Sequence, residues 1–470
     1  MVFSSTPFLF YFLPLFLICY YLTPSKFRNY TLLLGSIVFY SWGGPIFIFV
    51  ILLTTALDFI LVKQIEKSDS PRRKKLFLCI SLFVNLGLLF TFKYLFFFIT
   101  NLNHLLGWAN ADPIQISPIA LPIGISFFTF ESLTYVIDVY RGDYKSLSSF
   151  KNYLTYILMF PKLIAGPIIP YNKMGWQIEG ERIITAEMRL AGFMRFIFGL
   201  AKKILIANVL GETVANLYKL APADIDTLTA WAMAVGYTMQ LYFDFSGYSD
   251  MAIGLGEMIG FKIPENFNFP YISKSITEFW RRWHISLGNW MRNYLYIPLG
   301  GNKGSVFRTY FNLWLVFLIS GFWHGAGWSF IFWGAYHGFF LVCERLFLKN
   351  FLKRNISVFY TFIVTTVGWV LFRNSSLHVS GMMYRKMFSF QFSQQHVFDH
   401  RFIVVLCIAL FFAFSGLIKP FYNTTQSDEQ LFIQNKVRFY GLYAGALILF
   451  IVSASYLLGQ NFNPFIYFRF

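Results

Sequence analysis

Apolar runs long enough to cross a lipid bilayer recur from one end of this chain to the other, and charged side chains fall mostly in the gaps between them. A helix needs about 20 mostly apolar residues to cross a hydrocarbon core ~30 Å thick. By that rule the candidates are residues 6–22, 29–43, 45–62, 76–99, 114–139, 150–170, 187–210, 229–247, 309–324, 326–347, 355–372, 402–419 and 437–458. Several are interrupted, which leaves about ten to twelve spans. Only 13% of the 470 residues are charged, against about 25% in soluble domains. No Ser/Pro/Gly-rich linker divides the sequence. The expected architecture is therefore all-α, a polytopic transmembrane helical bundle in which residues 1–470 form one integral membrane domain.

Charge placement decides between the partners that a formal charge of +17 would allow. A nucleic-acid reader gathers its Lys and Arg on one soluble face, whereas here they punctuate apolar segments, so lipid and not nucleic acid is the expected surroundings. Residues 63–75, KQIEKSDSPRRKK, hold six basic and two acidic residues between two apolar stretches. The positive-inside rule places this loop in the cytoplasm, and three spans before it would put the N-terminus outside. Residues 7–22 lack the basic flank and small-residue cleavage site of a signal peptide and read as a mature span. Cys19, Cys79, Cys343 and Cys407 show no metal-ligand spacing and read as small buried hydrophobes. Residues 113–124, PIQISPIALPIG, and 160–170, FPKLIAGPIIP, are broken by Pro and Gly. Irregular backbone at membrane depth must be buried in protein or line a cavity, so a polar interior is expected. The two halves show no matching interruptions, which weighs against an inverted-repeat transporter.

Histidine is where proton chemistry at neutral pH would reside. Of the seven, His104, His378, His396 and His400 fall in polar stretches expected to be loops. His324 closes the apolar run 313–324 and precedes Gly325, Ala326 and Gly327, which permit close backbone approach. An ionisable group there is either functional or a satisfied structural histidine. His337, in GAYHGFF, has no acidic neighbour and reads as structural. His284 lies in TEFWRRWHISLGNWMRNYLYIPLGGN, residues 277–302, where Arg281, Arg282 and Arg292 alternate with aromatics. That mixture suits an interfacial segment, and clustered arginine also suits a phosphorylated donor such as coenzyme A. In QLYFDFSGYSDMAIG, residues 240–254, the spacing of Asp244 and Asp250 does not place them on one helix face, so pairing with Arg or Lys is the better reading than an acid pair. No Gly-rich phosphate loop, GxSxG elbow, CxxC or HExxH is present.

Five stretches in order, LPIGISFFTFESLTYVIDVYRG at 121–142, YFDFSGYSDMAIG at 242–254, FWRRWHISLGNWMRNYLYIPLGGN at 279–302, GFWHGAGWSFIFWGAYHG at 321–338 and the opening MVFSSTPFLFYFLP, together resemble the membrane-bound O-acyltransferase family in its bacterial polysaccharide branch. The terminal PFIYFRF is similar too, while Glu131 departs from the pattern, where Gln is usual. The resemblance implies a bundle with re-entrant and interfacial helices around a central funnel. It also implies that His324, in the Trp-His-Gly motif, is the catalytic histidine, with His284 at the second polar position. Trp323, Gly325, Arg281, Arg282, Asp244 and Tyr248 would line or support the site. The implied reaction carries an acetyl group from cytoplasmic acetyl-CoA, bound as a substrate and not as a resident cofactor, toward an extracytoplasmic polysaccharide. A separate extracytoplasmic acetyltransferase is the implied partner, and a bacterial cytoplasmic (inner) membrane the implied location. D-alanyl or other acyl transfer to an envelope polymer, a polar-solute transporter and a silent scaffold are the alternatives.

Overall fold

A computed structural model of the chain describes residues 1–348, 350–392, 398–418, 436–459 and 462. His396, the C-terminal PFIYFRF and position 419 of a candidate span lie outside them. The described secondary structure is helical, without a strand. Contacts group the chain into two compact units, Met1–Ile184 with Ile259–Ile263, and Thr185–Met258 with Pro264–Phe470.

The first unit contains α1 (Leu13–Leu22), α2 (Arg28–Ser41), α3 (Phe47–Lys67), α4 (Pro71–Leu89), α5 (Leu95–Trp108), α6 (Ile125–Arg141), α7 (Phe150–Leu158), α8 (Phe160–Leu163) and α9 (Tyr171–Glu179). A π-turn at Phe90–Tyr94 joins α4 to α5. The basic stretch of residues 63–75, expected as a loop, is mostly helical: residues 63–67 end α3, 71–75 begin α4, and only 68–70 form the bend, with Pro71 starting the second helix in the position proline favours. Of the two segments broken by Pro and Gly, residues 160–169 are buried throughout, whereas residues 113–120 are irregular and almost entirely exposed. The buried segment has an anchor that the exposed one lacks: the Lys162 ammonium, on α8, forms an ion pair with the Glu131 carboxylate of α6, both buried. Gly124, at the start of α6, is required by two circumstances at once. Its φ is +76°, and a Cβ there would sit 2.6 Å from the Leu163 carbonyl oxygen. Asp58 on α3, fully buried, accepts hydrogen bonds from Ser81 Oγ (2.5 Å) and Asn85 Nδ2 (2.9 Å) on α4.

The second unit contains α10 (Ala186–Ala201), α11 (Asn208–Leu217), α12 (Thr227–Met258), α13 (Ile276–Arg282), α14 (Ile285–Met291), α15 (Val306–His324), α16 (Trp328–Leu346), α17 (Ser357–Arg373), α18 (Leu377–Met387), α19 (His400–Phe414) and α20 (Lys436–Gly459). At 32 residues, α12 is the longest and is buried over most of its length. Glycines seven apart bring α10 against it: a Cβ on Gly192 would meet the Gly254 carbonyl, and one on Gly199 the Gly247 carbonyl. That backbone contact leaves Asp244 and Asp250 facing consecutive lysines of the π-turn Lys202–Ala207. Lys203 pairs with Asp244 at 2.5 Å and Lys202 with Asp250 at 2.6 Å, while Arg195 reaches both Asp250 (2.7 Å) and Glu265 (2.6 Å).

Five described helical stretches are long and apolar enough to cross a membrane: Phe47–Lys67, Pro71–Trp108, Val306–His324, His400–Leu417 and Gly441–Gly459. Phe8–Leu22 and Ser357–Arg373 are shorter apolar stretches. Other described helices of the bundle do not combine that length with that apolarity, and α12 shows why. It is about 48 Å long at 1.5 Å per residue, but it is packed inside protein, so it carries buried polar side chains that a lipid-facing helix excludes. The cysteines reverse the expectation of burial, since Cys19, Cys79 and Cys407 lie on exposed helix faces and Cys343 is half-buried. Small apolar groups are as much at home on an apolar outer surface as in a core.

Candidate functional site

The hairpin of α15 and α16 is built around its glycines. A Cβ on Gly321 would strike the Phe330 carbonyl, and one on Gly334 the Phe317 carbonyl, so the two backbones lie in direct contact. Gly325 has an equally tight place, with the Phe330 ring over the position its side chain would take. Such a turn delivers His324, the last residue of α15, to a fixed spot. Only 5% of His324 is exposed. Three rings meet it edge to face: Trp323 at 4.9 Å, Phe372 at 5.1 Å and Trp333 at 5.2 Å between centroids. Trp333 comes from α16 and Phe372 from α17, so three helices converge on one imidazole. Rings packed in this way hold the χ angles of the histidine and exclude bulk water from it.

His284 is held by different means. It falls between α13 and α14 and adopts a left-handed backbone, with φ +44°, a conformation that costs a side-chain-bearing residue about 1–2 kcal/mol. The irregular segment carrying Asn266 runs alongside it. Asn268 N–H donates to the Arg282 carbonyl (2.9 Å), and Ile285 N–H donates to the Asn266 carbonyl (3.0 Å). The Asn266 side chain then closes the loop, its Oδ1 lying 3.3 Å from His284 Nδ1, 3.1 Å from Ser286 N and 2.9 Å from Ser286 Oγ. Phe245 of α12 stands edge-on to the imidazole at 4.7 Å. Burial pushes the His284 imidazole well below its ordinary value of 6.5, to about 3, so it is neutral at physiological pH.

Trp323 links the two histidines, its ring 4.9 Å from His324 and 6.4 Å from His284. The structure thus brings together His324, Trp323, Gly325 and His284 from the residues singled out in the sequence. Two of the others, Arg282 and Asp244, have partners of their own. Arg282 is committed to Glu278 (2.9 Å) and to the Asn268 carbonyl (3.2 Å), while Arg281, one position earlier, is exposed. Asp244 and Tyr248 are buried on α12, and the Asp244 carboxylate is neutralised by Lys203. The pairing of both α12 carboxylates with cations is what their spacing suggested. Of the histidines expected in loops, His104, His378 and His400 are exposed but lie on helices α5, α18 and α19. His337 is fully buried between Trp280 (4.9 Å) and Trp333 (5.1 Å), a packing position.

Sequence reasoning missed Asn266, Trp333, Phe372 and Glu344. Glu344 of α16 accepts hydrogen bonds from Ile276 N (2.5 Å) and Thr277 N (3.2 Å), which caps α13 with a carboxylate at its positive end. It therefore fixes the helix that leads into His284. A buried acid near the end of α16 was the available signal.

Taken alone, this geometry defines a class: a helical membrane protein whose buried, ring-caged imidazole is joined through one indole to a second, hydrogen-bonded imidazole. Comparison with known proteins gives that class a family. The profile of the membrane-bound O-acyltransferase (MBOAT) family matches residues 143–370, which include both histidines. The chain is 40% identical over 506 aligned residues to a probable alginate O-acetylase of Azotobacter vinelandii, with all of each chain covered. It is 45% identical over 394 residues to the probable alginate O-acetylase of Pseudomonas aeruginosa, covering 83% of this chain and 75% of that one. With the peptidoglycan O-acetyltransferase of Helicobacter pylori the identity is 34% over 414 residues, covering 80% and 78%. The chain belongs to the membrane-bound O-acyltransferase family and is a multi-pass membrane O-acyltransferase.

Proposed function

We propose that this protein passes an acetyl group from cytoplasmic acetyl-CoA across the bacterial inner membrane for O-acetylation of an extracytoplasmic polysaccharide. The observation that carries the reading is His324, an imidazole held by three rings at a glycine turn. Support for acetyl as the acyl group comes from end-to-end similarity to a probable alginate O-acetylase. A peptidoglycan O-acetyltransferase among the relatives leaves the polymer a choice between alginate-like exopolysaccharides and other envelope glycans.

In this mechanism neutral His324 accepts the proton of the acceptor hydroxyl as its oxygen attacks the thioester carbonyl. The carbon–sulfur bond then breaks, and the imidazolium returns the proton to the departing thiolate, giving free coenzyme A and an oxygen ester. Trp323, Trp333 and Phe372 keep the imidazole dry and aligned for both transfers. Arg281 is the arginine of its pair that is available to a coenzyme A phosphate, because Arg282 is already engaged. Final delivery to the polymer uses a separate extracytoplasmic acetyltransferase.

The experiment is radiolabelled acetyl transfer from acetyl-CoA into envelope polymer, in membranes carrying the candidate partner and either native protein or His324→Ala. Label in polymer with the native protein alone supports the reading. Equal label from both would remove His324 from the chemistry. Label that never depends on this protein would remove the acetyl transfer itself.

A further inference from the structure

Asn266 sits at full burial with its side-chain amide between α12 and the short helices that flank His284. The orientation of that amide follows from its neighbours. Ser286 N is a backbone N–H and only donates, so the Asn266 atom 3.1 Å from it is the oxygen. The amide nitrogen then faces Ser249 Oγ at 3.3 Å, where a hydroxyl accepts. The same oxygen lies 3.3 Å from His284 Nδ1. A carboxamide oxygen accepts and never donates, so the proton of that contact belongs to the imidazole. The Ser286 hydroxyl donates to Asn266 Oδ1 at 2.9 Å and lies 3.4 Å from Nδ1, a contact in which it accepts from the Nδ1–H tautomer. A neutral imidazole carries a single N–H, and Nδ1 has it.

We infer that Asn266 is a positioning residue that locks His284 as its Nδ1–H tautomer, so that Nε2 is the lone-pair nitrogen and His284 offers reactants an acceptor. The ligand class this selects is a hydrogen-bond donor, which the hydroxyl of an acyl acceptor is and the oxygens of a thioester or a phosphate are not. His284 orients the acceptor hydroxyl and does not stabilise an oxyanion, a role that needs a donor. This division of labour rests on the acetyl-transfer reading above. The tautomer does not.

The test has two arms. In lipid vesicles, magic-angle-spinning NMR of ring-labelled histidine is compared between native protein and His284→Gln, and the difference spectrum isolates His284. The protonated ring nitrogen is expected to correlate with Cγ, which is bonded to Nδ1. Correlation with Cδ2, bonded to Nε2, would overturn the tautomer assignment in the native protein, with no variant needing to fold.

In the second arm, Asn266→Leu is expected to lower kcat for acetyl transfer about tenfold or more with the KM for acetyl-CoA unchanged, within the range of a misaligned proton acceptor. Asn266→Asp preserves the acceptor oxygen and is expected to stay within about threefold of native. Placed in a His284→Gln background, Asn266→Leu should add no further loss, because the two residues act as one unit. Independent, additive losses would show that Asn266 only supports the fold. Native-like transfer by His284→Gln alone would overturn the functional role, while the spectrum separately decides the tautomer.

Discussion

Of the three buried histidines of the second unit, the two singled out for the site are fixed in opposite ways. His324 is held by aromatic edges from α15, α16 and α17. His284 is held by an amide and a hydroxyl that each have a direction. Aromatic packing constrains where a ring lies but has little to say about which nitrogen carries the proton. A carboxamide oxygen dictates it. The difference suits the two proposed tasks: a base that gains and loses a proton in each cycle needs freedom in its protonation, whereas a residue that orients a substrate needs a constant face. Trp323, which touches both rings, is where the two arrangements meet.

The sharpest way to break the packed half of this comparison is Trp333→Ala. The substitution opens a hole beside both His324 and His337, and loss of a buried tryptophan costs about 3–5 kcal/mol. Detergent-solubilised protein should unfold at a clearly lower temperature in a thermal-shift assay, and Trp333→Phe should recover most of the loss. If Trp333→Ala is as stable as native, the ring cage is not what holds His324.

An effect of comparable size is expected at the Lys203–Asp244 ion pair of the same unit. Lys203→Ala strands the Asp244 carboxylate in protein, for about 3–5 kcal/mol, and Lys203→Ala with Asp244→Ala should be less destabilised than the single variant. The same thermal-shift series measures both. A double variant worse than the single would mean that the pair is not isolated from its surroundings.

A smaller effect sharpens the hydrogen-bonded half. Glu344→Ala removes the carboxylate from the start of α13, where Ser275 remains as N-cap, and leaves the Ile276 and Thr277 amides unsatisfied, which costs about 1–3 kcal/mol. Because α13 leads into His284 and not into His324, hydrogen exchange should quicken in residues 276–286 and stay unchanged in 318–326. Uniform acceleration across both segments would contradict separate fixation.

The smallest expected effect concerns pH. The folded imidazole of His284 is shifted down from 6.5 to about 3, so it remains neutral above about pH 4 and gains no charge in the physiological range. His284→Gln should therefore leave the acid limb of the pH–rate profile where it stands in the native protein. A displaced limb would mean that His284 titrates during turnover.

How much of this was open to inspection in the sequence depended on the range of each interaction. The turn at His324 was legible because its signals are adjacent residues: an ionisable group ending an apolar run, followed by Gly325, Ala326 and Gly327. The cationic partners of Asp244 and Asp250 were legible as a type of residue, since a buried carboxylate must be compensated, but not as Lys203, Lys202 and Arg195. Asn266 left no trace. It lies 18 residues from His284, in a stretch without periodicity, and its effect depends on three hydrogen bonds that only the folded chain creates. The two segments broken by Pro and Gly looked alike, yet one is buried and the other exposed, because only residues 160–170 contain a side chain, Lys162, with a buried acid waiting for it. The polarity of α12 has a related cause: hydropathy reports lipid contact, and α12 has protein neighbours instead of lipid.

The central claim is that His324 moves the proton in acyl transfer. Its most direct measurement is the rate of acetyl-CoA-dependent acetylation by purified protein in lipid vesicles with its partner, native against His324→Gln at matched folded protein. The account predicts a fall of about a hundredfold or more with the KM for acetyl-CoA little changed. A His324→Gln protein that transfers acetyl at the native rate would contradict it.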